Sequence, residues 1–287
     1  MSDRKTISET LHDGISMVFD VDEVLYEEGT GHHQLSLIRN PVFGKVLVLD
    51  GAVQVTSRDE FIYHEMLAHV PLAAHENPAD VLIIGGGDCG LAEEVLKHKR
   101  VGTLTQVEID ASVLDFSREH FADFNAPVFE DPRFQVEIAD GAVFAAETDK
   151  RFDVILVDST DPTGPGAVLF TTDFYRNLKR ILRPGGIVVS QNGVPFLQPE
   201  EFSKAMKGLS SVFETTSCYL VSVPTYFGGH MTLGWSSDDP EALSVSEATL
   251  SERMAGIETR YYTPAHHRAA FALPRFIETL LEDALKA

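Results

Sequence analysis

Cysteine is almost missing from this chain: Cys89 and Cys218 are the only two in 287 residues. No disulfide framework can staple the fold, and a reducing compartment is expected. Cations are also scarce. Lys and Arg together number 23 against 44 Asp and Glu, a formal net charge of −21. That balance excludes the basic footprint that nucleic acid needs and disfavours adsorption to anionic membranes. No apolar run approaches the ~20 residues that span a bilayer, and Met1 to Thr10 contain no apolar leader segment. Internal repeats and low-complexity linkers are absent too; the loosest stretch is Ser236 to Ser246, rich in Asp and Ser. What remains is 44% apolar, enough for a well-packed core. The expectation is a cytoplasmic protein of one large domain, or a large and a small one, with neither nucleic acid nor membrane as partner. Its acidity suits cationic substrates, although solubility alone is a sufficient reason for it.

The first third reads as β-rich. Ile15 to Phe19, Gln34 to Ile38, Lys45 to Leu49 and Ala52 to Val55 are short β-branched and aliphatic segments. Turn signals at Asn40-Pro41…Gly44 and at Asp50-Gly51 separate them, the second a two-residue hairpin connection. A helix then follows Arg58-Asp59-Glu60, with Pro71 expected to close it. From Asp80 onward apolar runs alternate with helical stretches. Val81–Ile84, Leu104–Val107, Phe134–Ile138, Val154–Val157 and Ile187–Val189 look like parallel strands buried on both faces. Repeated βαβ units imply a doubly wound α/β sheet with right-handed crossovers. Arg183-Pro184-Gly185-Gly186 reads as a sharp helix-to-strand turn, and Tyr219–Val223 with Met231–Trp235 as an antiparallel pair at one sheet edge. The division expected is a small N-terminal β-domain over residues 1–60 and a Rossmann-like domain over 61–287.

Doubly wound sheets bind ligands past the carboxyl ends of their strands. The residues there are Asp88, Glu108 with Asp110, Asp140-Gly141, and Asp158-Ser159-Thr160-Asp161. One acid at a strand end is ordinary loop solvation, but acid at each successive strand end points to a cationic ligand. The glycine loop Gly85-Gly86-Gly87-Asp88-Cys89-Gly90 sharpens this. Pyrophosphate-binding loops are neutral to positive, so Asp88 argues against a phosphate and for a positively charged adenosine-like molecule. Glu108, 23 residues after Gly85, stands where an acid accepts from ribose hydroxyls. Asp110 reads better as a helix cap. Asp140 is placed to accept from an exocyclic adenine amine. Asp158 and Asp161 either converge on one ammonium or form a cap with a solvated neighbour, ahead of the rigid loop Pro162-Thr163-Gly164-Pro165-Gly166.

Other patterns carry less. In His64-Glu65…His69 the histidines are five apart, whereas a zinc helix needs i and i+4; His64 can still face the cleft, with His69 an ordinary helix residue. Cys89 has no base beside it and reads as a small residue packed in the turn. His266-His267 has no metal-ligand partners around it, and no metal or resident cofactor is expected. Gly85-x-Gly87-x-x-Gly90 formally satisfies the dinucleotide fingerprint, which keeps an NAD-dependent dehydrogenase in view. Against it stand the acids, which would repel phosphates. An S-adenosylmethionine-type ligand, with adenosine, no phosphate and a cationic sulfonium, fits better, and a methyltransferase is the neighbouring alternative. An inert scaffold is disfavoured because clustered acids are costly without a cation.

With these residues assembled, the chain resembles the spermidine synthases, the polyamine aminopropyltransferases, from Glu9-Thr10-Leu11-His12 to Phe271-Ala272-Leu273-Pro274. The most specific segments are Leu49-Asp50-Gly51, Arg58 to Met66, Ile83 to Asp88, Val107-Glu108-Ile109-Asp110, Asp158 to Pro162 with Gly164-Pro165, and Pro224-Thr225-Tyr226. The resemblance implies a Rossmann-like methyltransferase-type sheet, a homodimer or homotetramer, and aminopropyl transfer from decarboxylated S-adenosylmethionine to putrescine without metal. It further implies Asp158 as acceptor of the amine proton, helped by Tyr63 and Asp161. His64, Asp88, Ser159, Thr160 and Tyr226 would position the polyamine. Asp88, Glu108, Asp140, Gly141 and Pro165 would hold the nucleoside. The family's nucleoside-contacting glutamine falls at His33, with Gln34 beside it. Cys89 stands where the family has glycine, so a positive φ there would be strained.

Overall fold

The alternation from Asp80 onward builds a seven-stranded mixed sheet in the computed structural model, which describes residues 5–12, 14–29, 34–160 and 164–286. Ahead of it lie a hairpin, β1 (Thr6–His12) with β2 (Ile15–Asp20), and an antiparallel meander of β3 (Glu23–Gly29), β4 (Gln34–Asn40), β5 (Gly44–Leu49) and β6 (Ala52–Thr56). β1 and β3 are not evident as strands in the sequence. β1 carries few apolar residues, and in β3 the apolar Val24, Leu25 and Tyr26 stand between glutamates; each strand is held by a more apolar neighbour, β2 and β4. The two hairpin turns follow their sequence signals: Asn40 accepts from the backbone of Val42 and Phe43 at 2.9 Å each, and Asp50 and Gly51 adopt φ 51° and 85°, the mirror-image turn that suits strand twist.

The large sheet comprises β7 (Asp80–Gly85), β8 (Thr103–Glu108), β9 (Phe134–Ile138), β10 (Phe152–Asp158), β11 (Leu182–Gln191), β12 (Thr215–Val221) and β13 (Met231–Ser237), in the order β12-β13-β11-β10-β7-β8-β9. β7 through β11 run parallel; β13 and β12 add the expected antiparallel pair at one edge. Strand order reverses between β7 and β10, which makes their carboxyl ends the predicted ligand crevice. Successive β7 residues pack to opposite faces, Val81 and Ile83 into one core and Leu82 and Ile84 into the other. α1 (Glu60–Ala74) and α2 (Gly90–Leu96) cover the first face. α3 (Ala111–His120) and the single turn α4 (Ala122–Asn125) lead to β9, α5 (Gly141–Glu147) and α6 (Thr172–Ile181). α7 (Pro199–Ser210), α8 (Glu247–Arg253), α9 (Pro264–Ala270) and α10 (Arg275–Lys286) complete the layers.

Four expectations need correction. Pro71 does not end α1, which continues to Ala74. Its last carbonyls are capped by guanidiniums: Arg100 donates to Leu72 and His75, and Arg253 to Ala73 and Ala74, at 2.6–3.0 Å. They stabilise the turn beyond Pro71, whose missing N–H leaves only the Leu67 carbonyl, one turn earlier, without its helical bond. β9 is not buried on both faces, because it is the sheet's edge and leaves Val136 and Ile138 exposed. Arg183 to Gly186 form a bulge inside β11, with Leu182 opposite Phe152 and Ile187 opposite Val154. Ser236 and Ser237 belong to buried β13, so the loose stretch begins only after them. His69 is a helix residue as expected but fully buried, bonded to His98 at 2.9 Å and paired with Glu94 at 3.1 Å.

Candidate active site

A cleft of about 460 Å³ opens at the strand-order reversal. The glycine loop forms its floor, and the N-terminal strands contribute a wall that includes Glu9, Met17 and Gln54. Sheet register brings the chemistry together, since Gly85 pairs with Asp158 across β7 and β10. Gly86 donates its N–H to the Asp158 carbonyl at 3.0 Å. Side chains in place of Gly85, Gly86 or Gly87 would have nowhere to go. A Cβ on Gly86 would stand 3.0 Å from an Asp158 carboxylate oxygen, and one on Gly87 would stand 3.0 Å from Glu108 Oε2. The glycines therefore let two carboxylates approach the loop, a use of glycine beyond phosphate binding.

Asp158 is half-buried and accepts a hydrogen bond from the Tyr63 hydroxyl at 2.8 Å. Burial, then the neighbouring Asp88 carboxylate, pushes its pKa up to about 6, against the pull of His64 and Tyr63. Asp88 moves the other way. Burial raises it, but the His64 imidazole 3.5 Å away and the Gly90 N–H at 2.7 Å outweigh that and hold it below the usual range. Two carboxylates in one cleft driven apart in this way divide into an anion and a proton acceptor. Burial and the Asp158 charge lift Tyr63 well above an ordinary phenol, so it stays a donor.

Beside Gly87, Glu108 accepts from the Asp110 N–H at 3.0 Å, and Asp110 caps α3 by accepting from Ser112 at 2.9 Å. Asp140 also acts as a cap. One of its oxygens accepts from Ala142 and Val143 at 2.8 and 3.1 Å, while the residue lines the cleft with Gly141. Gln34 is not brought to the cleft: it starts β4 and its backbone bonds with Asp50, which does line the cavity. A position at the hairpin's base, fixed by strand pairing, overrides its proximity in sequence to the expected contact. His33 and Asp161 lie outside the described residues, as does the side chain of Pro165. Ser159 and Thr160 line the cleft, and among the described residues the buried Ser159 hydroxyl has no partner. Tyr226 sits edge-on to Tyr63 at 5.7 Å, its hydroxyl donating to the Gln54 carbonyl at 2.6 Å. Its ring, more than its oxygen, therefore serves the cavity. Among the described residues no cluster of three or more His, Cys, Asp or Glu is arranged to hold a metal.

Sequence reasoning gave no role to several residues that shape this site. Buried Asp59 accepts from Thr56 at 2.6 Å and from the Thr225 N–H at 2.9 Å and hydroxyl, tying the loop that carries Tyr226 to the start of α1. Glu9 accepts from the Val53 N–H at 2.7 Å and fixes the first hairpin against β6. Glu60 bonds His64 at 3.0 Å, a pairing that the i,i+4 spacing alone announces. Cys89 does adopt the left-handed conformation, φ 63°, with its side chain fully buried. For Cys89→Gly, relief of about 1–2 kcal/mol of left-handed strain roughly balances the lost burial, so denaturation free energy should shift by less than ~1 kcal/mol. Cys89→Val, β-branched in the same conformation, should cost ~2–4 kcal/mol in a urea melt; equal stability of the two variants would remove the strain argument.

Against known proteins, residues 60–246 match the family described as "Spermine/spermidine synthase domain" and residues 6–57 the one described as "Spermidine synthase tetramerisation domain". Polyamine aminopropyltransferases of Salmonella arizonae and Escherichia fergusonii are 50% and 49% identical, the first covering 100% of both chains, the second 99% of this chain and 98% of the relative. That of a Ruegeria species is 50% identical over 95% of this chain and 97% of its own. A crystal structure of a spermidine synthase in complex with the transition-state analogue AdoDATO superposes with TM-score 0.93 at 34% identity, covering 98% of this chain and 96% of that one. Spermidine synthase from Thermotoga maritima gives TM-score 0.90 at 32% identity, covering 98% and 95%.

Proposed function

This chain belongs to the spermine/spermidine synthase family of polyamine aminopropyltransferases, and from that premise we propose that it transfers the aminopropyl group of decarboxylated S-adenosylmethionine to putrescine. The products are spermidine and 5′-methylthioadenosine. The nitrogen lone pair of a neutral amine forms the new N–C bond, and the C–S bond breaks with its electrons moving to sulfur. The sulfonium becomes a neutral thioether and the amine's proton passes to a base. No redox partner is needed.

The observation that carries this reading is the Tyr63–Asp158 pair, with Asp158 at about 6 beside an Asp88 kept ionised. An alkylammonium resembles lysine, near 10.4, so freeing the nucleophile at pH 7 costs about 4–5 kcal/mol. Carboxylates that bind the diamine make this harder by raising its pKa. The tension eases if one acid is desolvated enough to take the proton while others anchor ammonium groups. We assign the first role to Asp158, with Tyr63 holding its carboxylate and Asp161 assisting. Asp88, with His64, Ser159, Thr160 and the Tyr226 ring, takes the second. Glu108 holds the ribose, Asp140, Gly141 and Pro165 take the adenine, and His33 is assigned as a further nucleoside contact. Alignment of amine and C–S bond supplies much of the acceleration.

We further propose division of the chain near residue 60, with residues 6–57 joining protomers into a dimer or tetramer, and a cytoplasmic site of action, which suits two buried free cysteines. No helix among the described residues is long and apolar enough to cross a membrane. The deciding experiment supplies purified protein with decarboxylated S-adenosylmethionine and diamines of graded length. Putrescine should give spermidine with the highest kcat/KM, and a preference for cadaverine or spermidine would move the assignment within the family.

A further inference from the structure

His64 is a side chain with two carboxylates and one ring. Its Nδ1 lies 3.0 Å from Glu60 Oε2 and its Nε2 3.5 Å from Asp88 Oδ1. A neutral imidazole has one N–H and one lone pair, so it can face only one carboxylate favourably; facing two calls for protons on both nitrogens. We propose that Glu60 is a positioning residue of the transfer reaction: its carboxylate holds His64 as a fixed imidazolium, which keeps Asp88 ionised and aimed at a substrate ammonium. The role rests on the aminopropyltransferase reading above.

The packing leaves the ring no alternative. Its side chain is only 2% exposed, and Glu60's 7%. A Cβ on Gly90 would collide with His64 Cε1 and Nδ1, so the ring is packed directly against the start of α2. Tyr63 meets its edge at 5.6 Å and Phe124 approaches from α4 at 6.4 Å. A carboxylate as buried as Glu60 needs a cation, and the other one near it, Arg260, stands 3.8 Å away and 61% exposed. The charged groups around the ring thus come from every neighbouring element: Glu60 on α1, Asp88 in the glycine loop, Asp158 and Glu108 at the ends of β10 and β8, and Arg260 behind Glu60. Their charges alternate, from Arg260 to Glu60, to His64, to Asp88 and on to the substrate's ammonium. Burial pulls His64 down, yet Asp88 and Glu60 together raise it well above an ordinary imidazole. Asp158 feels the same cation, which restrains its rise. Without Glu60 the imidazolium loses its second anion, so burial discharges it at lower pH, in the range where Asp158 titrates. Asp88 and Asp158, no longer facing a cation, then both ionise at higher pH.

The test compares wild type, Glu60→Gln and Glu60→Asp in aminopropyl transfer from pH 5.5 to 9, with 15N NMR of the histidine rings read without substrate. In Glu60→Gln the acidic limb of kcat should move up by about one pH unit, and the KM that depends on Asp88 should rise roughly tenfold, one unit of lost ionic interaction. The kcat of the alkaline plateau should stay within about threefold of wild type. Glu60→Asp should recover most of the limb. The His64 nitrogens should show an imidazolium at pH 7.5 in wild type and a neutral ring in Glu60→Gln. A neutral His64 in wild type overturns the proposal even if the variants fail to fold. So does a Glu60→Gln enzyme with an unmoved limb and unchanged KM, or one whose loss is an equal fall of kcat at every pH. Wild-type protein that transfers no aminopropyl group overturns the reaction reading and this role with it. The nitrogen shifts distinguish that failure from a His64 that was never charged.

Discussion

Asp158→Asn is expected to lower turnover by roughly 10²–10⁴-fold, the span of a lost general base, while affinity for methylthioadenosine changes by less than about threefold. The asparagine keeps the size of the side chain and can still accept from Tyr63, so the cleft's shape survives. What disappears is the group proposed to take the amine's proton. The wild-type pH profile carries the same information. Asp158 is driven up to about 6 by burial and by Asp88, and a base acts only when ionised. Turnover should therefore fall as pH drops through about 6, and the Asp158→Asn variant should lack that limb. Stopped-flow or discontinuous assay of methylthioadenosine release, with calorimetry of the nucleoside, measures both. A variant with near wild-type turnover would pass the proton to another group, with Tyr63 the first to examine.

The second large effect concerns the donor. Ordinary S-adenosylmethionine carries a carboxylate that the decarboxylated form lacks, and the proposed assignment puts the aminopropyl end near Asp88. Bare like charges ~4 Å apart at an effective dielectric of 20 repel by about 4 kcal/mol, or roughly 10³-fold. The structure tempers that figure. His64 and the Gly90 N–H share the Asp88 charge, so an expected discrimination nearer ~10²-fold remains, with Asp158 and Glu108 adding to the repulsion. Asp88→Asn should bring the two donors within about tenfold of each other, chiefly by weakening the decarboxylated one. Calorimetry that finds equal affinity in the wild type would end this assignment of Asp88.

How much of this was legible depends on the range of the interaction. Val81–Ile84 and Val154–Val157 announce buried parallel strands because both their faces are apolar, and the acids behind them mark the crevice by position alone. The strain at Cys89 could be read too, since a turn built of glycines constrains its neighbours. β1 and β3 could not, because their few apolar residues stand among glutamates and threonines and it is pairing with β2 and β4 that makes them strands. Pro71 misled because the guanidiniums that cap the helix come from Arg100 and Arg253, remote in sequence. The clasp between Asp59 and Thr225 spans 166 residues and involves a carboxylate that looks like any other acid before a helix. Gln34 stood beside the expected contact in sequence, but its backbone bonds with Asp50 decide where it goes.

Glu65, one turn along α1 from Phe61 and beside His64, is buried and accepts three backbone N–H groups, from Arg260, Tyr261 and Tyr262, at 2.7, 2.9 and 2.7 Å. With Arg253 on the carbonyl end of the same helix, the element that presents Tyr63 and His64 is finished by residues nearly two hundred positions later. During synthesis those residues leave the ribosome long after α1 and after all seven strands of the large sheet. A nascent chain therefore holds the helix with its buried carboxylate unanswered until residues 260–262 emerge. The order of translation thus sets the moment at which the helix carrying Tyr63 and His64 can be fixed.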